Sequence, residues 1–359
     1  EDVAELVVNI PADKKNALQD FSYTANADIK LPKSKPGNIV VLTGGTTGDF
    51  KSAGRKQSIG DFLNPLVALI DQLQLNHFRI AYIPTPIYHG YGLAALTISI
   101  LMGSEIHLTR KFNAAEACQL IDKKGIEVIT LVPLMLKRML DEDINAIQKT
   151  KRILSGGAPL APDLTRRTLE TLGPILFNLY GTTEAGFCVI GTPDHLGTNP
   201  STIGKTIPGV KMRIHTSSGE NGIGELQITS KWIMGNSESK WIPTGDLATL
   251  DDDGLIYLKG RTDSMIVSGG ENVYPQDLEN VLSTHNQIEA VAVIGIPDVE
   301  FGKRLKAFVV LQVDSALLEI DLKDWLKGKI ARYQMPTKIE FIKELPGTSI
   351  GKVNKKELH

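Results

Sequence analysis

The stretch VVLTGGTTGDFKSAGRKQS, Val40 to Ser58, sets glycines and threonines against three cations behind a short apolar run. Glycine-freed backbone N–H groups, threonine hydroxyls and the Lys51 ammonium together make a receptor for phosphate oxygens. Two common phosphate loops fail on spacing. A GxxxxGK(S/T) loop counted from Gly45 puts Phe50 where the second glycine must stand, although Lys51 and Ser52 match. A GxGxxG turn opening a helix is also missing. What remains is a Gly/Thr hairpin offered to a polyphosphate, or a glycine-rich surface turn with no ligand.

Other polar groups stand in short motifs that are weak one by one. Glu184 in YGTTEAG reads alone as a solvated loop carboxylate, and Asp246 in PTGDLATLDDDG as a turn residue. Lys352 in PGTSIGKVNKKEL reads as a surface lysine, with Lys355 and Lys356 solvated beside it, and Asp251, Asp252 and Asp253 belong to a turn. Cys118 and Cys188 match no metal or redox spacing and read as buried free thiols, which suits a reducing compartment.

The elements that must carry these groups follow a rhythm. From residue 39, β-branched runs alternate with helical periods: IVVLT, FRIAYIPT, EIHLT, EVITLVP, RILSGG and ILFNLYG, with helix-like text between. That rhythm predicts parallel βαβ units, with ligands at the carboxyl ends of the strands. After about residue 200, GVKMRIH, GELQITS and LATLDDDGLIYLKG read as short strands joined by turns. From Asp263 the text becomes a compact α+β unit with YPQDLENVLSTH and DLKDWLKGKI as helices. The fold class expected is α/β. A large N-terminal domain of parallel βαβ units plus a β-rich section spans 1–262, and a small α+β C-terminal domain spans 263–359.

Bulk properties narrow the function classes. With 359 residues, 42% hydrophobic and 22% charged, the chain is long enough for a sizeable core. A net charge of −2 gives no global basic field, so nucleic acid is not an expected partner. No apolar run reaches the roughly 18 to 20 residues of a membrane span. The richest, GLAALTISILMGS, reads as a buried helix. No signal peptide is apparent, and a cytoplasmic location is expected. The chain opens on Glu1 rather than Met and reads as if preceding residues, the N-terminal part of the large domain, were missing.

Taken together and in order, five segments resemble the ANL superfamily of adenylate-forming enzymes, in its acyl-CoA synthetase (AMP-binding) family. Thr43–Lys51 resembles the family's phosphate loop, YGTTEAG its YGxTE motif, and PTGDLATLDDDG its TGD motif. GRTDSMIVSGGENVYPQDLE resembles the inter-domain segment, and PGTSIGKVNKKEL the C-terminal lysine motif. Phe50 departs from the family, which places proline there.

The resemblance implies an enzyme that joins a carboxylic acid to the α-phosphate of ATP, releasing pyrophosphate, and then passes the acyl group to the thiol of CoA. It implies that Thr43, Gly44, Gly45, Thr46, Thr47, Gly48 and Lys51 hold the β- and γ-phosphates. Glu184 would bind Mg²⁺, with Thr183 beside the phosphate and Gly181 and Thr182 in the same nucleotide-binding turn. Gly157, Ala158 and Pro159 would lie along adenine with Tyr180 as an aromatic plate. Asp246 would accept from the ribose hydroxyls, and Arg261 would reach ribose or phosphate. Lys352 would bridge the carboxylate and the α-phosphate. Asp263 would be the hinge of a mobile C-terminal domain, with Gly269 and Gly270 admitting a pantetheine arm. His89, Gly90, Tyr91, Val132, Pro133 and Phe187 would form the acyl pocket. No aspartate stands near PIYHGYG to pair an α-ammonium, which disfavours amino acids. Fatty acid metabolism is the expected setting. In place of CoA, an acyl carrier protein could accept the acyl group. An adenylate-only ligase and a non-catalytic nucleotide-binding relative stay open beside this reading.

Overall fold

The computed structural model describes residues 40–44, 50–54, 67, 69–109, 111–182, 185–216, 222–230, 241–313, 315–347 and 353–359. In it the Gly/Thr stretch is a hairpin. Val40–Gly44 (β1) and Phe50–Gly54 (β2) pair antiparallel, with the backbone of Thr43 opposite that of Lys51.

A seven-stranded sheet follows, built from Ile80–Ile83 (β3), Glu105–Leu108 (β4), Val128–Leu131 (β5), Arg152–Gly156 (β6), Leu176–Thr182 (β7), Gly186–Gly191 (β8) and Lys205–Thr206 (β9). Its order is β4-β3-β5-β6-β7-β8-β9. The first five strands in that order are parallel; β8 and β9 then extend the edge antiparallel, so ILFNLYG does not close the sheet. The crossovers are Gly90–Leu101 (α1), Ala114–Lys124 (α2), Pro133–Glu142 (α3) with the single turn Ile144–Ile147 (α4), and Pro162–Leu172 (α5); Pro193–Thr198 (α6) joins β8 to β9.

Local chemistry sets the helix bounds. Asn113 caps α2 by accepting from the Glu116 N–H, and Gly125 ends it in the left-handed region at φ 63°. Proline opens α3 and α5, where its missing N–H costs nothing. Met135, Leu136, Met139 and Leu140 recur at helical spacing and bury one face of α3. All four residues of β5 are buried, as befits a parallel strand covered on both faces. Ile129, Leu131 and Ile153 face α2 and α3, while Val128 and Leu154 face the opposite core. Helix α1 forms as expected but is not buried. Only Gly92 is inaccessible along it, and Ile100 and Leu101 are exposed.

A four-stranded antiparallel meander comes next: Lys211–His215 (β10), Gly224–Thr229 (β11), Ile242–Leu250 (β12) and Ile256–Arg261 (β13). Its apolar face joins the core that covers Val128 and Leu154. The C-terminal domain is a five-stranded sheet with two helices. It comprises Ile266–Ser268 (β14), Glu271–Val273 (β15), Pro275–Leu282 (α7), Ile288–Asp298 (β16), Gly302–Leu311 (β17), Glu319–Leu326 (α8) and Lys338–Phe341 (β18). Its own core includes Leu278, Leu282, Val293, Val309, Leu322 and Leu326. The Lys137 ammonium of α3 reaches across to it, donating to the carbonyls of Ile288 (3.2 Å) and Glu289. No helix among the described residues is long and apolar enough to cross a membrane.

Candidate active site

Asp246 lies where the meander meets β7. Its carboxylate is 17% exposed and engaged on both oxygens. The Tyr180 O–H donates to Oδ2 at 2.6 Å, and Arg261 Nη1 donates to Oδ1 at 3.2 Å. A carboxylate has about four acceptor directions, so two remain for a ligand. Burial, with the Asp246 charge adding to it, pushes the Tyr180 phenol well above its ordinary value, so it stays a donor. Burial works against the Arg261 guanidinium, but Asp246 and Asp263 outweigh it and hold its pKa above the usual arginine value.

Two residues between them were not singled out from the sequence. The Thr244 hydroxyl donates to the Leu226 carbonyl (2.8 Å) and accepts from the Asp246 N–H (3.1 Å), which fixes the backbone under the carboxylate. Gly245 has φ 73°, and a Cβ there would lie 2.7 Å from Arg261 Nη2. The TGD triplet therefore acts as a unit: threonine fixes the turn, glycine lets the guanidinium close over it, and aspartate presents the acceptor. The signal was the threonine two residues before the aspartate, a common hydroxyl–backbone turn. Arg261 Nη1 also donates to the Thr244 carbonyl (2.9 Å). Its Nε is 3.4 Å from Asp263 Oδ1, yet buried with no hydrogen-bond partner among the described residues.

The next strand brings in the glycines. Gly156 on β6 pairs with Leu179, one residue before Tyr180. Tyr91 stands over this strand: its O–H donates to the Leu154 carbonyl (2.8 Å), and its ring meets Phe187 edge-on at 5.9 Å. A Cβ on Gly157 would lie 3.8 Å from both Tyr91 and Val132. Gly157, Tyr91, Val132 and Phe187 thus converge beside the Tyr180–Asp246 network. Behind Tyr91, an apolar cavity of about 40 Å³ lies between α1 and the sheet.

The remaining candidates lie around this centre or away from it. Pro133 is the first residue of α3, directly after Val132. Ala158 and Pro159 follow Gly157 into the loop before α5. Gly181 and Thr182 end β7, and the Thr182 hydroxyl accepts from the Ala185 N–H (3.1 Å). His89 caps the N-terminus of α1, its ring tilted 4.5 Å from Tyr88, with Gly90 as the first helical residue. Asp263 is exposed and ion-paired to Arg261. Gly269 and Gly270 form the turn between β14 and β15 in the sheet of the C-terminal domain, whereas Asp246 belongs to the meander. Gly45, Thr46, Thr47, Gly48, Thr183, Glu184 and Lys352 lie outside the described residues, and of Thr43, Gly44 and Lys51 only the backbone is described. Among the described residues no cluster of three or more His, Cys, Asp or Glu could hold a metal ion. Cys118 and Cys188 are free and buried, as read from the sequence, and burial pushes the Cys188 thiol up to about 12. Lys355 departs from expectation: it is half-buried and ion-paired to the buried Glu279.

Comparison with known proteins follows the same lines. The family described as "AMP-binding enzyme" matches residues 3–236, and "AMP-binding enzyme C-terminal domain" matches residues 277–352. A 2-succinylbenzoate–CoA ligase of Staphylococcus aureus is 28% identical over 363 residues, covering 95% of this chain and 73% of its own length. The o-succinylbenzoate CoA synthetase of Bacillus subtilis, solved with its acyl-adenylate intermediate, superposes with a TM-score of 0.77 at 28% identity, covering 89% of this chain and 68% of that one. It has also been solved with ATP and magnesium ion, with a TM-score of 0.76. The amide bond synthetase McbA of Marinactinospora thermotolerans shares the fold, at 24% identity and a TM-score of 0.78, covering 89% of this chain and 68% of that one. The expected setting of fatty acid metabolism is not supported, because these curated relatives are ligases of an aromatic acid.

Proposed function

The chain belongs to the AMP-binding enzyme family, within the ANL superfamily of adenylate-forming enzymes, and from that premise we propose that it is an AMP-forming acid–thiol ligase making acyl-CoA. A carboxylate oxygen attacks the α-phosphorus of ATP, the bond to the bridging oxygen breaks, and pyrophosphate leaves. The CoA thiol then attacks the activated carbonyl carbon, and AMP departs.

The observation that carries this reading is the Asp246 network. A largely buried carboxylate, oriented by Tyr180 and Arg261, keeps lone pairs free, and its partner Tyr180 follows Leu179, the residue that pairs with Gly156. Vicinal ribose hydroxyls suit such an acceptor, and the Arg261 guanidinium, 42% exposed as a side chain, supplies complementary donors. On this reading the segment Gly157–Pro159 lines adenine against Tyr180, and Lys51 of the β1–β2 hairpin, with the Gly45–Gly48 sequence that joins its strands, holds the terminal phosphates. In the sequence Thr183 and Glu184 stand between Thr182, the last residue of β7, and Ala185, whose N–H donates to the Thr182 hydroxyl. Glu184 would hold magnesium, which offsets charge on the phosphate oxygens. Lys352 places a positive charge between two anions that must approach each other. Removing such a transition-state partner costs on the order of 10² to 10³ in rate.

The acyl side is the wall of Tyr91, Val132, Pro133 and Phe187, with His89 and Gly90 at its rim. Its edge-on aromatic pair and the names of the relatives make aromatic carboxylic acids the first class to test. CoA is the acceptor and an acyl carrier protein the alternative. The division falls at 262/263, with Asp263 as the hinge and Gly269–Gly270 on the pantetheine path. Both ATP and CoA are intracellular, which points to the cytoplasm.

The test is acid-dependent ATP–pyrophosphate exchange over short, long and aromatic acids, with Lys352→Ala as control. Exchange with one acid class, lost about a hundredfold or more in the control, is the expected result. ATP binding with no exchange for any acid would overturn the ligase reading in favour of a non-catalytic nucleotide-binding protein.

A further inference from the structure

The C-terminal tail is tied to the small domain at closely spaced points. Val353 bridges antiparallel to Gly347, and the Asn354 N–H donates to the Pro346 carbonyl (2.7 Å). Two residues after Val353, the Lys355 ammonium sits 2.5 Å from Glu279 Oε1. Farther along, Leu358 is buried against Ala292 and Phe308, and Lys306 donates to the His359 carbonyl.

Glu279 is an unusual partner for a terminal lysine. Its side chain is 11% exposed, in the last turn of α7, where the helix dipole disfavours a carboxylate. The same Oε1 accepts the Val293 N–H of β16 at 2.7 Å. Burial pushes the Glu279 carboxyl up, and Lys355 with the Val293 N–H pulls it back. A buried ion pair of this kind adds little net stability over an apolar one, but it admits fewer registers. Leu358 already attaches the tail by burial. The ion pair contributes a fixed register instead, locking the tail to α7 and β16 three residues after Lys352. Only Tyr274 separates β15 from helix α7, so one frame carries both the tail from Val353 onward and the Gly269–Gly270 turn.

We propose that the Glu279–Lys355 pair is a positioning device for adenylation, fixing the place of Val353 and Asn354, the residues that follow Lys352 in the chain, on the C-terminal domain. The proposal rests on the ligase reading above. Lys355 touches no substrate in it; it acts through Lys352. A misplacement of about 1 Å at a reacting group can cost on the order of a hundredfold in rate, so a register error at this anchor is felt in turnover rather than in binding.

The test uses the full chain and an acid that supports exchange. Lys355→Met keeps the stem and removes the charge. Its exchange kcat is expected to fall roughly ten- to a hundredfold, with KM for ATP and acid within about twofold of the parent protein. Thioester formation from supplied acyl-adenylate, which does not need Lys352, should stay within about twofold. Lys355→Arg should restore most of the exchange. Glu279→Gln keeps the volume and an acceptor for Val293 and should reproduce the split. An unchanged exchange kcat in both charge-removing variants overturns the proposal. So does an equal loss in both half-reactions accompanied by a lower Tm, the mark of a merely structural pair. Exchange that is absent from the parent protein with every acid overturns the ligase reading instead.

Discussion

At the scale of single residues, the site is a question of how many acceptor directions a carboxylate keeps after the protein has used its share. Tyr180 and Arg261 take one direction on each oxygen of Asp246. Asp246→Asn keeps the shape but replaces one oxygen with an NH₂ that must face either a donor or the ligand. A hydrogen bond to a charged group is worth about 1.5–3 kcal/mol, so KM for ATP should rise roughly ten- to a hundredfold while KM for the acid holds. Pyrophosphate exchange at varied ATP reads this directly, and an unchanged KM for ATP would remove Asp246 from the nucleotide site. Thr244 shows how such a residue escapes sequence reading. Its hydroxyl touches no substrate in the proposed site, and its work is visible only once Leu226 and the Asp246 N–H are seen on either side.

Among the elements, the β14–β15 hairpin changes the meaning of its glycines. In the sequence, Gly269 and Gly270 suit close approach of a pantetheine arm. The backbone supplies a second reason, since φ is 58° and 90° at the two positions between the closing pair Ser268 and Glu271. Both central residues at positive φ mark the two-residue turn whose twist matches its strands, and glycine occupies it with least strain. Gly270→Val therefore costs about 1–3 kcal/mol of local strain besides adding bulk. If the turn lies on the thiol path, thioester formation from acyl-adenylate should drop about tenfold or more and pyrophosphate exchange should change less than threefold, for a barrier change of roughly 1.4 kcal/mol or more. Equal losses in the two half-reactions would show that the turn matters only for folding. Helix α1 makes a related point. Its apolar text predicted a buried helix, but burial depends on what packs against a face, and Ile100 and Leu101 remain open to solvent among the described residues.

For the whole molecule, the contact between α3 and β16 is one of the places where the two domains meet, beside the packing of α7 on β13, where a Cβ on Gly260 would lie 3.7 Å from Gln276. Lys137 gives its ammonium to two successive carbonyls, and Arg138 stands 3.8 Å from Glu289. Helix α3 begins at Val132 and Pro133 of the proposed acyl wall, so one element spans that wall and the domain contact. Lys137→Met should loosen the contact and speed tryptic cleavage after Arg261, beside the exposed Thr262 and Asp263, by roughly threefold or more. An unchanged cleavage rate would mean that other contacts hold the domains. Much of this architecture was legible in the text. Periodicity of apolar residues fixes which face of a strand or helix is buried, and that local rule predicted the βαβ series from FRIAYIPT onward, the β-rich section and the α+β unit. IVVLT, read as the first strand of the series, instead pairs antiparallel in its own two-stranded hairpin, because periodicity does not state a strand's partner. The order of five short motifs carried the family. What the text could not carry was pairing between residues far apart in the chain. Tyr180 finds Asp246 66 residues away, Glu279 finds Lys355 across a sheet, and Lys137 finds Ile288 of β16 151 residues on. Side-chain type and spacing state what a group is able to do. Only the tertiary structure decides which groups are brought within hydrogen-bonding distance, because that distance is set by the packing of elements and not by their order along the chain.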